Sequence, residues 1–98
     1  MINNIDKILD KLQLPNTGRY DNHFYVIDLE DSNEYARVYT KLDKNAVNTE
    51  EPNFGKNTNG STVKITNYFE YEYDNVSYNI FLIADFLNGK YYVKLGEA

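Results

Sequence analysis

The chain of 98 residues has no cysteine, and none of its apolar runs approaches the length of about 18 residues that marks a membrane span. The absence of cysteine excludes a disulfide scaffold, a thiolate metal site and a cysteine nucleophile. Because no apolar run is long enough, no membrane-spanning helix is predicted. Residues 1–12 contain no basic region followed by an apolar stretch, so no secretory signal is predicted. We therefore expect a cytoplasmic protein, or one of the host cytoplasm if the source is viral.

Positive charge is also scarce. Ten lysines and arginines stand against fifteen aspartates and glutamates, which gives a net charge of −5. Proteins that bind nucleic acid directly need clustered cations to displace the counterions of the phosphate backbone, and anionic membranes attract the same clusters. The composition therefore disfavours nucleic acid and membrane surfaces as direct partners, and it permits basic proteins as partners.

Motifs of catalysis and cofactor binding are missing as well. His23 is the only histidine, and no serine or threonine lies in a nucleophile elbow. Gly55 and Gly60 do not have the spacing of a phosphate-binding loop. Residues 28–34 gather four carboxylates around one turn, but they lack the glycine and the final glutamate of a calcium-binding EF-hand loop. We therefore predict no enzyme, no cofactor and no metal site.

The most informative stretch is residues 62–95, which predicts three antiparallel strands over 62–73, 76–87 and 90–95. Asp74-Asn75 tolerates a left-handed backbone, and Asn88-Gly89 is the preferred pair for a two-residue type I′ turn. Hairpins that close at these two turns put nearly all of the apolar and aromatic side chains on one face, because cross-strand partners share a face. This agreement between two independent turns predicts the core.

The second of these turns pairs Leu87 with Lys90. Phe81 and Ile83 point to the polar side of the middle strand, where we expect the N-terminal helix or a partner to cover them. The predicted core face contains Phe69, Tyr71, Tyr73, Val76, Tyr78, Ile80, Leu82, Ala84, Phe86, Tyr91, Val93 and Leu95.

The remaining segments complete an α+β domain. Residues 2–12 place isoleucine and leucine at three- and four-residue steps, which predicts a short amphipathic helix. Residues 23–30 and 34–42 alternate along their length, and the polar turn between them predicts a second hairpin. Residues 43–61 show no period and predict a long polar loop, either mobile or partner-binding. The predicted fold is a single domain over the whole chain: a helix on a curled five-stranded antiparallel sheet, with partial closure into a barrel as an alternative.

Glu70, Glu72 and Asp74 form an acidic row on the exposed face of one predicted strand. Their spacing is roughly 6.6–6.8 Å per charge, whereas a DNA strand carries one charge per roughly 3.4 Å, so the row imitates a phosphate backbone at about half its density. Solvated charges that protect an edge strand from aggregation form similar rows. We predict that the row captures a basic protein, together with a further set of acids and aromatic anchors: Asp28, Glu30, Glu34, Tyr68, Tyr92 and Phe54. The three further acids add to the same field if the two hairpins are neighbours.

In size, charge and composition the chain resembles the small acidic inhibitor proteins of phages and mobile elements, some of which mimic DNA. No sequence motif carries this resemblance. The leading hypothesis is a non-enzymatic binding protein whose acidic, tyrosine-rich face engages a basic nucleic-acid-binding protein. One alternative is a carrier of a small apolar ligand, whose binding site in a curled sheet is lined by Tyr71, Tyr78, Phe86 and Tyr91. Another is an assembly subunit that uses its sheet edges.

Overall fold

The computed structural model describes residues 2–98 and shows an α+β fold with one antiparallel sheet of seven strands. Its elements in chain order are α1 (Ile5–Leu12), β1 (Arg19–Asp21), β2 (Phe24–Leu29), α2 (Ser32–Asn45), β3 (Asn48–Thr49), β4 (Asn53–Lys56), β5 (Thr62–Tyr73), β6 (Val76–Asp85) and β7 (Lys90–Glu97). The strand order is β1-β2-β7-β6-β5-β3, and β4 also pairs with β5. The sheet is open, with β1 at one edge and β3 and β4 at the other. The α+β class is confirmed, whereas the five strands and the partial barrel are wrong.

The N-terminal helix forms over Ile5–Leu12 and begins later than predicted because Asn4 has a left-handed backbone with φ 63°. Ile8, Leu9 and Leu12 are buried. Their three- and four-residue spacing places them on one stripe of the helix, which packs on the sheet.

The hairpin of β5 and β6 has the predicted turn and register. Asp74 and Asn75 have φ values of 52° and 63°, and Tyr73 pairs with Val76. Asparagine and aspartate adopt this left-handed region more readily than other residues that carry a Cβ. The local chemistry of the turn therefore fixes the pairing of both strands.

The turn between β6 and β7 differs from the prediction. Asp85, not Leu87, pairs across the hairpin with Lys90, so the loop has four residues instead of two. The Asp85 carboxylate accepts hydrogen bonds from the Asn88 backbone N–H (3.2 Å) and side-chain amide (2.8 Å), and within the loop only Gly89 has a positive φ. The register moves by two residues, which leaves every side chain on its predicted face.

Most of the predicted core face is confirmed, because a shift of two residues preserves the faces. The exceptions lie at the ends of β6. Phe86, predicted to be in the core, stands in the loop and is 49% exposed, and Val76 is 37% exposed.

The predicted second hairpin is wrong, because residues 34–42 belong to α2. Tyr35, Val38 and Leu42 are spaced by three and four residues, and the last two are buried against the sheet. Asp31 caps the helix by accepting a hydrogen bond from the Glu34 N–H at 2.9 Å. The residues that alternate as in a strand also form an apolar stripe at helical spacing, and the cap favours the helix.

The predicted loop 43–61 is also largely wrong. Its first residues end α2, and β3 and β4 run along the same edge of β5. Glu50 between them donates its N–H to the Tyr68 carbonyl at 3.4 Å. Only residues 57–61 form a tight polar turn, closed by a hydrogen bond from the Asn57 N–H to the Ser61 carbonyl at 3.0 Å.

Both helices pack on the same side of the sheet. The core combines buried residues of α1 and α2 with side chains from only one face of the sheet, such as Ile27, Ile80 and Leu95. We call the opposite side of the sheet the outer face. Phe81 and Ile83 point to the outer face as predicted, but α1 does not cover them because it lies on the core side. Among the residues that the structure describes, no helix is both long and apolar enough to cross a membrane.

Candidate functional site

The outer face carries a row of three aromatic rings across the middle of the sheet. Phe24 and Phe81 have ring centroids 6.0 Å apart, and the Phe81 and Tyr68 centroids are 5.3 Å apart. These three residues come from β2, β6 and β5, and we call them the aromatic stripe. Each of them is partly exposed. Aromatic pairs at these distances support one another, and the free ring faces can accept further contacts.

Gly96 makes the stripe continuous across β7. A Cβ at this position would lie 2.9 Å from two carbon atoms of the Phe24 ring, which is shorter than a normal van der Waals contact. The glycine therefore lets the Phe24 ring lie over β7 toward Phe81. Lys94 then places its Nζ 4.6 Å from the centroid of the Phe24 ring, in a cation–π contact.

Beside the stripe lies a group of carboxylates that we call the acidic end: Glu50, Glu70 and Glu72. Glu70 and Glu72 follow Tyr68 on the same face of β5, with Asn79 and Ser77 as their partners on β6. Burial raises the pKa of the Tyr68 hydroxyl, and the Glu70 and Glu50 carboxylates raise it further. The hydroxyl therefore lies within a local negative potential.

Tyr68 is held in place by its own hydroxyl, which donates to the Asn79 Oδ1 at 2.6 Å. This bond fixes the ring beside Phe81 and next to the acidic end. The structure thus joins two predicted acids, Glu70 and Glu72, to the predicted anchor Tyr68, whereas Asp74 stands in the turn that follows β5. It adds Glu50, Phe81 and Phe24, of which Phe81 and Phe24 had a signal in the sequence, namely an apolar side chain on the outer face of a predicted strand.

Asp28 and Tyr92 lie elsewhere on the outer face. They are partners across β2 and β7, and two further strands separate Asp28 from the acidic end. The Asp28 carboxylate accepts a hydrogen bond from the Arg19 guanidinium at 3.1 Å, with both side chains largely exposed. Asp28 was predicted to add to the field of the acidic row if the two hairpins were neighbours, and this condition is not met, because two strands lie between Asp28 and the row.

Tyr92 lines a shallow cleft of about 260 Å³ rather than the acidic end. The cleft has mixed charge, and its lining includes Arg19, Asp21, Asp28, Asp85, Lys90 and Lys94. Hydrogen bonds from Asn88 lower the pKa of the Asp85 carboxyl. Balanced charges of this kind give no net attraction for a partner of either sign.

Glu30 and Glu34 serve the start of α2. The Glu34 Oε1 accepts a hydrogen bond from the Glu30 N–H at 2.9 Å, and its Oε2 lies 3.9 Å from Arg37. Asp31 satisfies a backbone donor that the first turn of α2 leaves unpaired, and Glu34 holds the N–H of Glu30, the residue before the cap. Within the acidic run of residues 28–34, Asp31 and Glu34 therefore stabilise the start of α2, and the structure does not bring this run to the acidic end.

Phe54 lies apart from the outer face. It belongs to β4 and pairs with Ile65, whose side chain points to the helix side of the sheet. Its side chain is 52% exposed. Phe54 is therefore an exposed aromatic at a sheet edge, separate from the aromatic stripe.

The four residues of the predicted carrier site are not equivalent in the structure. Tyr71 and Tyr78 are buried in the core with α1 residues, and Tyr78 donates its hydroxyl to the Asn3 carbonyl at 3.1 Å. Phe86 instead stands half exposed in a loop. Within residues 2–98 no group of three or more histidines, cysteines, aspartates and glutamates is placed to hold a metal ion.

Comparisons of the chain with protein-family models, with curated proteins and with solved structures found no match.

Proposed function

We propose that the chain is a non-enzymatic protein-binding module whose outer face engages a basic segment of a nucleic-acid-binding protein. In this proposal it acts in the cytoplasm as an inhibitor of the kind made by phages and mobile elements. One observation carries the proposal: the partly exposed aromatic stripe, over which no described helix packs, runs directly into the acidic end.

The aromatic stripe supplies the apolar part of such an interface. Aromatic residues are enriched at protein interfaces and dominate their binding energy when a partner covers them fully. The stripe is already ordered by ring contacts and by the bond between Tyr68 and Asn79. A partner therefore loses little of its binding energy to the ordering of these side chains.

The stripe also suits a cationic partner. The contact between Lys94 and Phe24 shows that a ring face of this stripe can hold an ammonium group. An arginine of a partner that stacks on Tyr68 or Phe81 would lie next to Glu70, and carboxylates bind the guanidinium group in a bidentate manner. The acidic end thus selects the charge of the segment, and the stripe supplies the contact area.

The test is capture of proteins from a lysate of the source organism or its host at low salt, with three forms of the chain as bait. The first is the native chain, and the second is Glu70→Lys with Glu72→Lys. The third is Asp10→Lys with Asp43→Lys, which changes the net charge by the same amount on the helix side. Asp74 is left unchanged because its φ of 52° disfavours lysine.

We expect the native chain and the helix-side variant to retain the same basic protein, and the Glu70/Glu72 variant to lose it. Binding of the captured protein should weaken steeply with salt, since exposed charges are screened within about 10 Å at 0.1 M ionic strength. DNA or RNA should compete with the chain for it. Equal capture by all three folded forms would refute the proposed face. Equal loss of capture in both variants would also refute it, because binding would then depend on net charge and not on the acidic end.

A further inference from the structure

The backbone of β4 presents hydrogen-bonding groups at the open edge of the sheet. The Tyr68 carbonyl of β5 points toward this edge, because it accepts a hydrogen bond from the Glu50 N–H. Backbone groups alternate in direction along a strand, so those of Ile65, three residues earlier, point the other way. Phe54 is the partner of Ile65, and in such a pair the N–H and C=O of Phe54 are directed away from β5. They are therefore free to pair with another strand.

The rest of this edge is protected against pairing. Glu50 and Glu51 precede Pro52, which has no N–H to donate, and the register shifts between Gly55 and Lys56. Charges, proline and bulges are the features by which natural sheets block their edges. They restrict pairing to a short window around Phe54, whose side chain is exposed in that window.

We propose that two copies of this chain pair through β4, antiparallel and about a two-fold axis at Phe54. The Phe54 N–H of each copy then donates to the Phe54 carbonyl of the other copy, so the two residues satisfy each other's backbone groups. Antiparallel partners share a face, so the two half-exposed Phe54 rings lie opposite each other and each copy covers the ring of the other. This self-complementary aromatic pair favours a second copy over an unrelated strand.

The proposed assembly is limited to two copies. Each copy has one short pairing segment on one sheet edge, so the pairing does not continue into a filament. A two-fold axis perpendicular to the sheet keeps both outer faces on the same side, which would present two stripes to a bivalent partner. The pairing itself does not depend on the proposed function, since it involves neither the stripe nor Glu70 and Glu72.

The test uses the full chain in sedimentation equilibrium over a range of concentrations, with Phe54→Pro and Phe54→Val as a matched pair. Both variants lose the ring, but only proline removes the outward N–H. Proline fits an edge position whose N–H faces solvent, so the pairing of β4 with β5 is kept. Circular dichroism and thermal unfolding establish that both variants fold.

We expect the native chain to dimerise reversibly, the valine variant to dimerise more weakly, and the proline variant weakest of all. Loss of two hydrogen bonds per dimer should raise the dissociation constant of the proline variant roughly tenfold or more above that of the valine variant. A native chain that stays monomeric throughout overturns the proposal. Equal dissociation constants for the two variants overturn it as well, because the backbone of Phe54 would then have no part in the contact.

Discussion

Tyr35 and Asn67 connect α2 to the centre of the sheet, and we predict that the two ends of this contact differ in their importance to stability. Asn67 is the buried polar residue of the described chain, at 5% exposure. Its Nδ2 donates to the Tyr35 hydroxyl oxygen at 2.7 Å and to the Leu82 carbonyl at 3.4 Å. Tyr35 is only half-buried, although burial still raises the pKa of its hydroxyl.

The change Tyr35→Phe leaves one N–H of the buried amide without a partner. A buried group left unpaired costs about 1–3 kcal/mol, and partial access of water around Tyr35 places the expected loss at about 1–2 kcal/mol. The change Asn67→Val should cost less, because the Tyr35 hydroxyl can turn to water. In the double variant no polar group is stranded, and removal of both partners can be nearly neutral.

Urea unfolding followed by far-ultraviolet circular dichroism measures all four forms. With a urea dependence of about 1–3 kcal/mol/M, Tyr35→Phe should lower the midpoint by roughly 0.3–2 M. The double variant should be about 1 kcal/mol more stable than the sum of the single losses predicts. Strictly additive losses, or a larger loss for Asn67→Val than for Tyr35→Phe, would refute the reasoning.

Three further predictions concern packing, capping and pH. Gly18→Ala should destabilise the protein by about 1–3 kcal/mol, because its Cβ would meet the Tyr25 ring and lie 2.7 Å from the Val26 carbonyl oxygen; a thermal midpoint like that of the native chain would contradict this. Asp31→Ala should cost about 1 kcal/mol in urea unfolding through loss of the cap of α2, while Asp31→Asn should cost much less; equal losses would argue against the cap. Burial is the main cause that raises the pKa of four hydroxyls above the ordinary value of about 10: Tyr35, Tyr68, Tyr71 and Tyr78. Since the folded state holds these protons more tightly, the contribution of these tyrosines to the free energy of unfolding should be complete below about pH 10 and be lost above it. Tyrosinate absorbance and circular dichroism should then change together, and complete ionisation of a still folded chain would contradict this.

Local chemistry and side-chain period were sufficient for part of the fold. The pair Asp74-Asn75 sets the register of β5 and β6 because few residues accept a left-handed backbone there. The spacing of apolar residues places α1, and alternation assigns Phe81 and Ile83 to the outer face. These features depend on neighbours in the sequence, so the sequence alone predicts them.

The 34–42 segment and the β6–β7 turn depended on tertiary contacts or on competing local signals. Residues 34–42 fit both a strand and a helix, and the helix forms because Asp31 caps it and Val38 and Leu42 reach the core. The three-residue spacing of a capping box was present in the sequence, from Asp31 to Glu34, and could have indicated the helix. At Asn88-Gly89 a four-residue loop closed by the Asp85 carboxylate forms instead of the predicted type I′ turn.

The candidate site shows the same division. The sequence by itself determined that Glu70 and Glu72 form an acidic row, because residues two apart on a strand share a face; Asp74, the third predicted member, lies in the turn beyond β5. Only the tertiary structure decided that Phe24 and Phe81 meet Tyr68 to form the stripe, since they come from three different strands. It also separated Asp28 from the row by two intervening strands and paired it with Arg19. Strand order, which depends on the packing of the whole chain, is what a linear pattern of charges does not contain.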